Sequence, residues 1–250
     1  MIEQLIIMEK SIPDIFFQVQ QELSGQSIPS VINALSEQFP QAVTFSTSFS
    51  YEDQVITDFI AKCKADISLF TLDTGRLFPE TYSTWSRTNE HYNIHIKAYY
   101  PTAETLETFI YQNGPNAFYN SVEQRKECCS IRKIEPLKRA LEGKAVWITG
   151  LRAEHSVDRQ NMAEFEWDEN NKVIKYNPLL TWKTEQVIQF IRENNIPYNN
   201  LHEKGFVSIG CAPCTRAIKN GEDFRAGRWW WEDNNKKECG LHVHAETAKL

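Results

Sequence analysis

Four cysteines in two pairs are the first residues whose spacing suggests chemistry. Cys128 and Cys129 are adjacent, and Cys211 and Cys214 form a Cys-Ala-Pro-Cys motif about eighty residues later. Four thiolates on two distant segments can hold either zinc or an iron–sulfur cluster. A zinc ion needs all four sulfurs on one centre at about 2.3 Å, which neighbouring residues reach only with strain. A cubane offers four separate irons, so adjacent cysteines can each take a different corner. The spacing therefore favours a [4Fe–4S] cluster on Cys128, Cys129, Cys211 and Cys214, with zinc as the alternative. A vicinal disulfide at 128–129 would leave the second pair unexplained.

The other two cysteines differ from these and from each other. Cys239 lies in a polar Lys-Lys-Glu-Cys-Gly-Leu-His stretch, after Lys236 and Lys237 and before His242 and His244. Positive neighbours raise the thiolate fraction, which a nucleophile needs. An inert tail cysteine is the plain alternative. Cys63 closes an amphipathic run and is expected to be a small packed hydrophobe.

Anion-binding features gather on three further segments. The run Thr44-Phe-Ser-Thr-Ser-Phe-Ser-Tyr-Glu-Asp-Gln-Val55 reads as strand, polar turn and helix. Such a turn aims backbone N–H groups at an anion, with Ser46, Ser48 and Ser50 as hydroxyl donors and Asp53 at the end of the loop. Serine-rich turns are also ordinary helix caps. A second apolar run ends in Asp73-Thr74-Gly75, and a third ends in Gly150 with Arg152 and Arg159 close behind. The carboxyl ends of strands are where open α/β sheets bind ligands. Many of the basic residues (Lys126, Arg132, Lys133, Arg216, Lys219, Arg225 and Arg228 among them) accompany or flank the cysteines. A cationic pocket in a chain of net charge −6 suits a small polyanion.

The elements that must position these residues follow from periodicity. Residues 1–40 hold two short helical segments, the second capped at Ser30. Strands are expected at 41–48, 66–73, 94–100 and 145–152, with helices between them from Gln54 and from Phe78, the latter carrying Pro79 in its first turn. A helix-rich stretch covers 103–142. A last strand near 173–182 leads into a helix capped at Thr181 or Thr184. The alternation predicts an α/β fold with a doubly wound, mostly parallel sheet. After Pro197 the periodicity fades into a Gly-, Cys- and Trp-rich extension. The expected organisation is a helical segment at 1–40, a nucleotide-binding α/β unit at 41–210, and a cluster-binding, catalytic segment at 211–250, all in one structural domain.

Composition narrows the class. The chain is 41% hydrophobic and 24% charged over 250 residues, as a globular protein requires. Its acidity argues against non-specific nucleic-acid binding. It has no apolar run of membrane-spanning length, and its first residues are too acidic and interrupted for a signal peptide. A cytoplasmic location is the expectation, where thiols stay reduced.

Taken together, SFSYEDQV, LDTGRLFPETY, ECCSIRKIEPLKRAL, WITGLRAEHS with VDR, GCAPCTRAI, RAGRWWWED and ECGLH resemble the adenylyl-sulfate and phosphoadenylyl-sulfate reductase family. The matching stretches cover most of residues 42–242. The resemblance implies a sheet of the ATP-pyrophosphatase (adenine nucleotide alpha hydrolase-like) type. In this family the tandem pair plus Cys-x-x-Cys marks the branch that carries a [4Fe–4S] cluster and uses adenylyl sulfate rather than its 3′-phosphorylated form. It further implies that Cys128, Cys129, Cys211 and Cys214 are the ligands and that Cys239 is the nucleophile. Lys133 would link cluster and substrate, and Arg225, Arg228 and His242 would hold the phosphosulfate. Arg152 and the loop at 46–53 would complete the nucleotide pocket. The implied reaction releases sulfite and AMP through an S-sulfocysteine, which a thioredoxin or glutaredoxin-like thiol then reduces. Relatives are commonly homo-oligomers.

One departure is Ser50, where the family loop commonly has glycine. Reduction of phosphoadenylyl sulfate, alone or beside adenylyl sulfate, is the rival within the same class, and two other classes remain at this point. An ATP-pyrophosphatase-like sulfurtransferase would carry a glycine-rich SGGxDS loop, absent here. A structural zinc module serving as an interaction protein would need no nucleophile.

Overall fold

The computed structural model describes residues 12–155 and 161–232. Arg159, Cys239 and His242 therefore lie outside the described residues. Six strands form one sheet: β1 (Val43–Ser46), β2 (Ser68–Leu72), β3 (Lys97–Tyr99), β4 (Val146–Ile148), β5 (Phe165–Asp168) and β6 (Val173–Tyr176). Their order is β3-β2-β1-β4-β6-β5. All neighbours run parallel except β5 against β6. Chain order reverses between β1 and β4, so the crevice at the carboxyl ends of these two strands is the switch point where such sheets take ligands.

β1 and β4 are buried on both faces, as central parallel strands are, with Thr44 and Trp147 on the face opposite the aliphatic one. Val43, Phe45, Val146 and Ile148 are all fully buried. One face is covered by α1 (Ile12–Leu23), α2 (Ile28–Gln38), α3 (Tyr51–Cys63) and α8 (Thr184–Glu193). On the other, α7 (Glu135–Leu141) lays Leu137, Ala140 and Leu141 against Phe70 and Trp147. The two N-terminal helices thus share the main core through Ile15, Val19, Ile32 and Leu35. Each such side chain contributes about 1.5–3 kcal/mol of burial.

Several boundaries differ from the sequence reading. The cap of α2 is Ser27 rather than Ser30. Pro29 sits in the first turn, where its missing N–H costs nothing, so the cap must precede it. Ser27 Oγ accepts from the Ser30 N–H at 3.3 Å. Helix α3 starts at Tyr51, three residues early, its first ring stacked on His202 at 3.9 Å. Helix α8 begins at Thr184 without a Thr181 cap; Gln186 Oε1 accepts from Lys183 N–H and Glu154 Oε2 from Thr184 N–H. Strand β5 was not expected. Its turn has no glycine; Asp168 Oδ1 accepts from the N–H groups of Asn170 and Asn171, and Lys172 takes a φ of 54°.

The long helical stretch is α5 (Ala103–Asn113), α6 (Val122–Cys129) and α7, with a π-turn at Ser130–Ile134 joining the last two. Pro136 explains the widened turn. It has no N–H to give the Arg132 carbonyl, and its ring would collide with that oxygen in a regular helix.

Candidate active site

A cleft of about 240 Å³ opens at the switch point. Its sheet-side wall is made of the residues that leave β1 (Ser46, Thr47, Ser48), β2 (Thr71, Leu72, Thr74) and β4 (Thr149, Gly150). The facing wall comes from Val207–Gly210 and from Phe224, Arg225, Arg228 and Trp229. Lys133, from the π-turn, completes it.

The β1 loop is held from inside. Asp53 is buried, and its Oδ2 accepts from Ser48 N–H at 2.6 Å and Ser48 Oγ at 2.7 Å. Burial raises the Asp53 carboxyl to about 6, while the two Ser48 hydrogen bonds pull the other way. Gly150 is fixed by this arrangement, because a Cβ there would stand 2.2 Å from Asp53 Oδ1. Ser50 has a φ of −70°, extended backbone open to any residue, so glycine is not needed there. The left-handed position is Phe49, at a φ of 61°. Its ring stacks on Trp85 in the core, and its N–H donates to Thr47 Oγ1.

Three of the expected ligand residues do not line the cleft. Arg152 is buried behind it, its guanidinium engaged with Glu52 Oε1 (2.9 Å), Glu154 Oε2 (2.6 Å), the Trp182 carbonyl and the Thr184 hydroxyl. It braces Glu52, which does reach the cleft. Asp73 shapes the β2 turn: Oδ1 accepts from Gly75 N–H and from the Tyr82 hydroxyl, whose titration burial and Asp73 push up to about 12. Gly75 supplies the φ of 70° that this turn requires. Thr74 does enter the cleft, and its hydroxyl lies 3.2 Å from Cys211 Sγ.

The four paired cysteines converge. Cys128, Cys129, Cys211 and Cys214 are free thiols, all buried in one apolar cluster with Phe109, Phe118 and Trp229. They ring a second, smaller cavity with Arg76, Arg125, Arg132 and Lys133. Burial is the largest influence on Cys211 and pushes its thiol up. Lys133, the Thr74 hydroxyl, Arg228 and Arg132 outweigh it and hold Cys211 below its ordinary range. Burial and the Cys211 charge push Cys214 up to about 12. Among the described residues, no three His, Cys, Asp or Glu side chains converge on a single ion position.

Alongside the expected Lys133, Arg225 and Arg228, sequence reasoning missed Trp229 and Arg125 at the junction of the two cavities. Trp229 is fully buried, with guanidiniums over its ring from Arg228 (4.6 Å), Arg125 (4.7 Å) and Arg225 (5.8 Å). Arg125 is clamped by Glu232 through two hydrogen bonds of 2.8 and 2.9 Å. Arg228 lies across Gly210, where a Cβ would stand 2.4 Å from Nη2. The three-tryptophan run gave a signal without a role. The glycines before the second cysteine pair and between Ala226 and Arg228 marked close approaches; a Cβ on the latter would stand 2.3 Å from the Arg216 carbonyl oxygen.

The phosphoadenosine phosphosulfate reductase domain matches residues 42–217. The chain belongs to that family. An adenosine 5′-phosphosulfate reductase of Allochromatium vinosum is 46% identical over 89% of this chain and 90% of its own length. A protein of the same name from Sinorhizobium fredii is 52% identical over 82% of this chain and 81% of its own. A solved phosphoadenylyl-sulfate reductase from Candida auris superposes with a TM-score of 0.69 at 29% identity, covering 81% of this chain and 96% of that one. A Candida glabrata FMN adenylyltransferase, at 16% identity and a TM-score of 0.52, shares the fold alone. The expected mostly parallel α/β sheet is thus the family's fold, and the chain is an oxidoreductase of sulfate reduction. None of the described helices is long and apolar enough to cross a membrane.

Proposed function

We propose that the cleft binds adenylyl sulfate and that the chain reduces it to sulfite and AMP, with Cys239 as nucleophile. The observation that carries this reading is Lys133, which lies on the walls of both the cleft and the cysteine cavity. Lys133, Arg225 and Arg228 give the cleft a cationic side for a phosphosulfate, and donors placed in advance are commonly the largest catalytic contribution. The nucleotide follows from the names of the two bacterial relatives.

In the first step the Cys239 thiolate attacks the sulfate sulfur. The bond from sulfur to the phosphate oxygen breaks, AMP leaves with that electron pair, and cysteine keeps the –SO₃⁻ group. A dithiol of the thioredoxin or glutaredoxin-like class then attacks Cys239 Sγ. Sulfite departs, a mixed disulfide forms, and the second thiol of the reductant resolves it, supplying both electrons. Cys239 is seven residues beyond Glu232, a tether of at most roughly 25 Å. His242 is assigned to the phosphosulfate on the family resemblance, and Arg159 to substrate binding from its place after the fourth expected strand.

The cysteine cavity suits an iron–sulfur cluster. Its donors are four thiols, two of them adjacent on a helix end, and four cationic side chains surround them. Arg132 Nε and Trp229 Nε1 are buried donors without an acceptor among the described residues, and both residues pack on this group. A sulfide-rich anionic body would accept from them. When bound, a [4Fe–4S] cluster on Cys128, Cys129, Cys211 and Cys214 supplies a fixed charge beside Lys133. A cytoplasmic location and a homo-oligomeric state belong to the same reading.

Mass spectrometry tests the nucleophile. Adenylyl sulfate added without reductant should leave one sulfite adduct on Cys239 of the native protein and none on Cys239→Ser. An adduct persisting in that variant defeats the assignment. Anaerobically purified protein should contain iron and sulfide in equal amounts; material without iron defeats the cluster.

A further inference from the structure

Cys239 has to meet two molecules in turn, the nucleotide and then a protein dithiol. In the second step a partner thiolate forms a bond to Cys239 Sγ, the bond from Sγ to the sulfonate sulfur breaks, and sulfite leaves with that electron pair. The partner's other thiol gives up its proton and resolves the mixed disulfide, so the dithiol is oxidised. The attacking protein must come within the tether of Cys239, at most roughly 25 Å from Glu232. A small domain is about 30 Å across, so its surface covers ground beside Glu232.

That ground is aromatic. Of the six large apolar side chains exposed among the described residues, Tyr119 and Trp230 are the two whose rings meet, edge to face at 6.4 Å. They leave 42% and 40% of their surface exposed. Trp231 touches both, its ring 4.4 Å from Tyr119 and 4.9 Å from Trp230.

The rings are held in place from below. The Tyr119 hydroxyl donates to the Pro213 carbonyl at 2.8 Å, inside the Cys211–Cys214 loop. Trp231 also lies 6.1 Å from Phe118, which is fully buried in the cysteine cluster. Glu232, next in the chain, is clamped by Arg125, and its N–H donates to the Trp229 carbonyl at 2.9 Å. Rings already fixed lose little freedom when a partner docks, and tryptophan and tyrosine carry much of the energy of protein interfaces.

We propose that Tyr119, Trp230 and Trp231 form the docking platform for a protein dithiol of the thioredoxin class, whose apolar rim around the reactive thiols seats on these rings. The proposal rests on the reading of Cys239 as nucleophile and extends it to the second step. A small dithiol needs no platform, which separates docking from chemistry.

Sulfite release is measured with a bacterial thioredoxin as the varied reductant, and again with dithiothreitol. Trp230→Ala should raise the KM for thioredoxin roughly tenfold. Its turnover with dithiothreitol, its iron content and its rate of S-sulfo adduct formation on Cys239 should stay within about twofold of native. Trp230→Phe keeps a ring and should recover most of the loss, and Tyr119→Phe, without its bond to Pro213, should lose several-fold. A KM unmoved in Trp230→Ala overturns the proposal. So does an equal loss with both reductants, which would give the rings to the chain's own first step. A smaller sedimenting species in Trp230→Ala than in native protein overturns it as well, because the face would then join copies of this chain. Should Trp230→Ala lose iron, Trp230→Gln decides by the same ratio of the two reductants. Native protein that forms no Cys239 adduct sinks the underlying catalytic reading; a normal adduct with an unmoved KM sinks the platform alone.

Discussion

The two cavities that share Lys133 are built from opposite materials. The sheet side of the nucleotide cleft is made by strand ends, and its polar groups are held by short hydrogen bonds to a buried carboxylate and a buried side-chain amide. The cysteine cavity is made by a helix end, a π-turn and loops, and its charges are held by an aromatic ring and one clamped ion pair. Backbone order comes with the sheet, whereas the cationic side depends on a few mutually supporting side chains. The first construction should tolerate change where the second should not.

The sharpest way to break this contrast is Arg125→Ala. Arg125 and Glu232 are both nearly inaccessible, so removing the guanidinium leaves a buried carboxylate unpaired. A loss of about 3–5 kcal/mol is expected in denaturant unfolding, with the indole of Trp229 becoming accessible to a fluorescence quencher. A change no larger than that of a surface variant would show that the ion pair does not hold the cavity. Gly150→Ala probes the sheet side. The added methyl meets Asp53 Oδ1 at 2.2 Å, and overpacking of this kind costs about 1–3 kcal/mol. AMP affinity should fall while iron content stays native; loss of iron as well would erase the proposed independence of the two walls.

The smallest effect is a pH dependence. Asp53 is raised in the folded state to about 6, so the folded protein holds that proton more tightly than the unfolded chain. Its contribution to stability is therefore greatest below the unfolded carboxylate range and falls as pH rises from about 4 to about 6. Relative to native protein, Asp53→Asn should gain stability across this window, on the order of 1–2 kcal/mol. Comparing the two proteins cancels Glu222, which its hydrogen bonds to Arg216 and Lys219 hold down at about 2 and which acts in the opposite sense. A difference that stays flat from pH 4 to 7 would contradict the assignment.

The central sheet was legible because β1, β2 and β4 are apolar runs closed by polar turns, and burial on both faces leaves no other reading. β5 was hidden because four residues of alternation followed by Asp-Glu-Asn-Asn look like a loop until a partner strand pairs with them. Within the site, residue type showed where charge gathers but not which charge is already spent. Arg152 and Asp73 carry the right chemistry at the right strand ends, yet their hydrogen-bonding capacity goes to Glu52, Glu154, Gly75 and Tyr82. The direction of the Ser48 proton is equally invisible in sequence. Trp229 sat in plain view, but its three guanidinium partners come from two segments, around Arg125 and around Arg225 and Arg228, that lie far apart in the chain.

The widened turn at Ser130–Ile134 adds an indexing constraint. Each residue of a regular helix advances the azimuth by about 100°. Removing one residue here would keep the thiols and swing the following lysine and proline a quarter-turn or more around the axis. The shared ammonium would then face a different neighbour. The bulge is thus a registration mark, phasing the helix that carries the first thiol pair against the one that packs on the sheet.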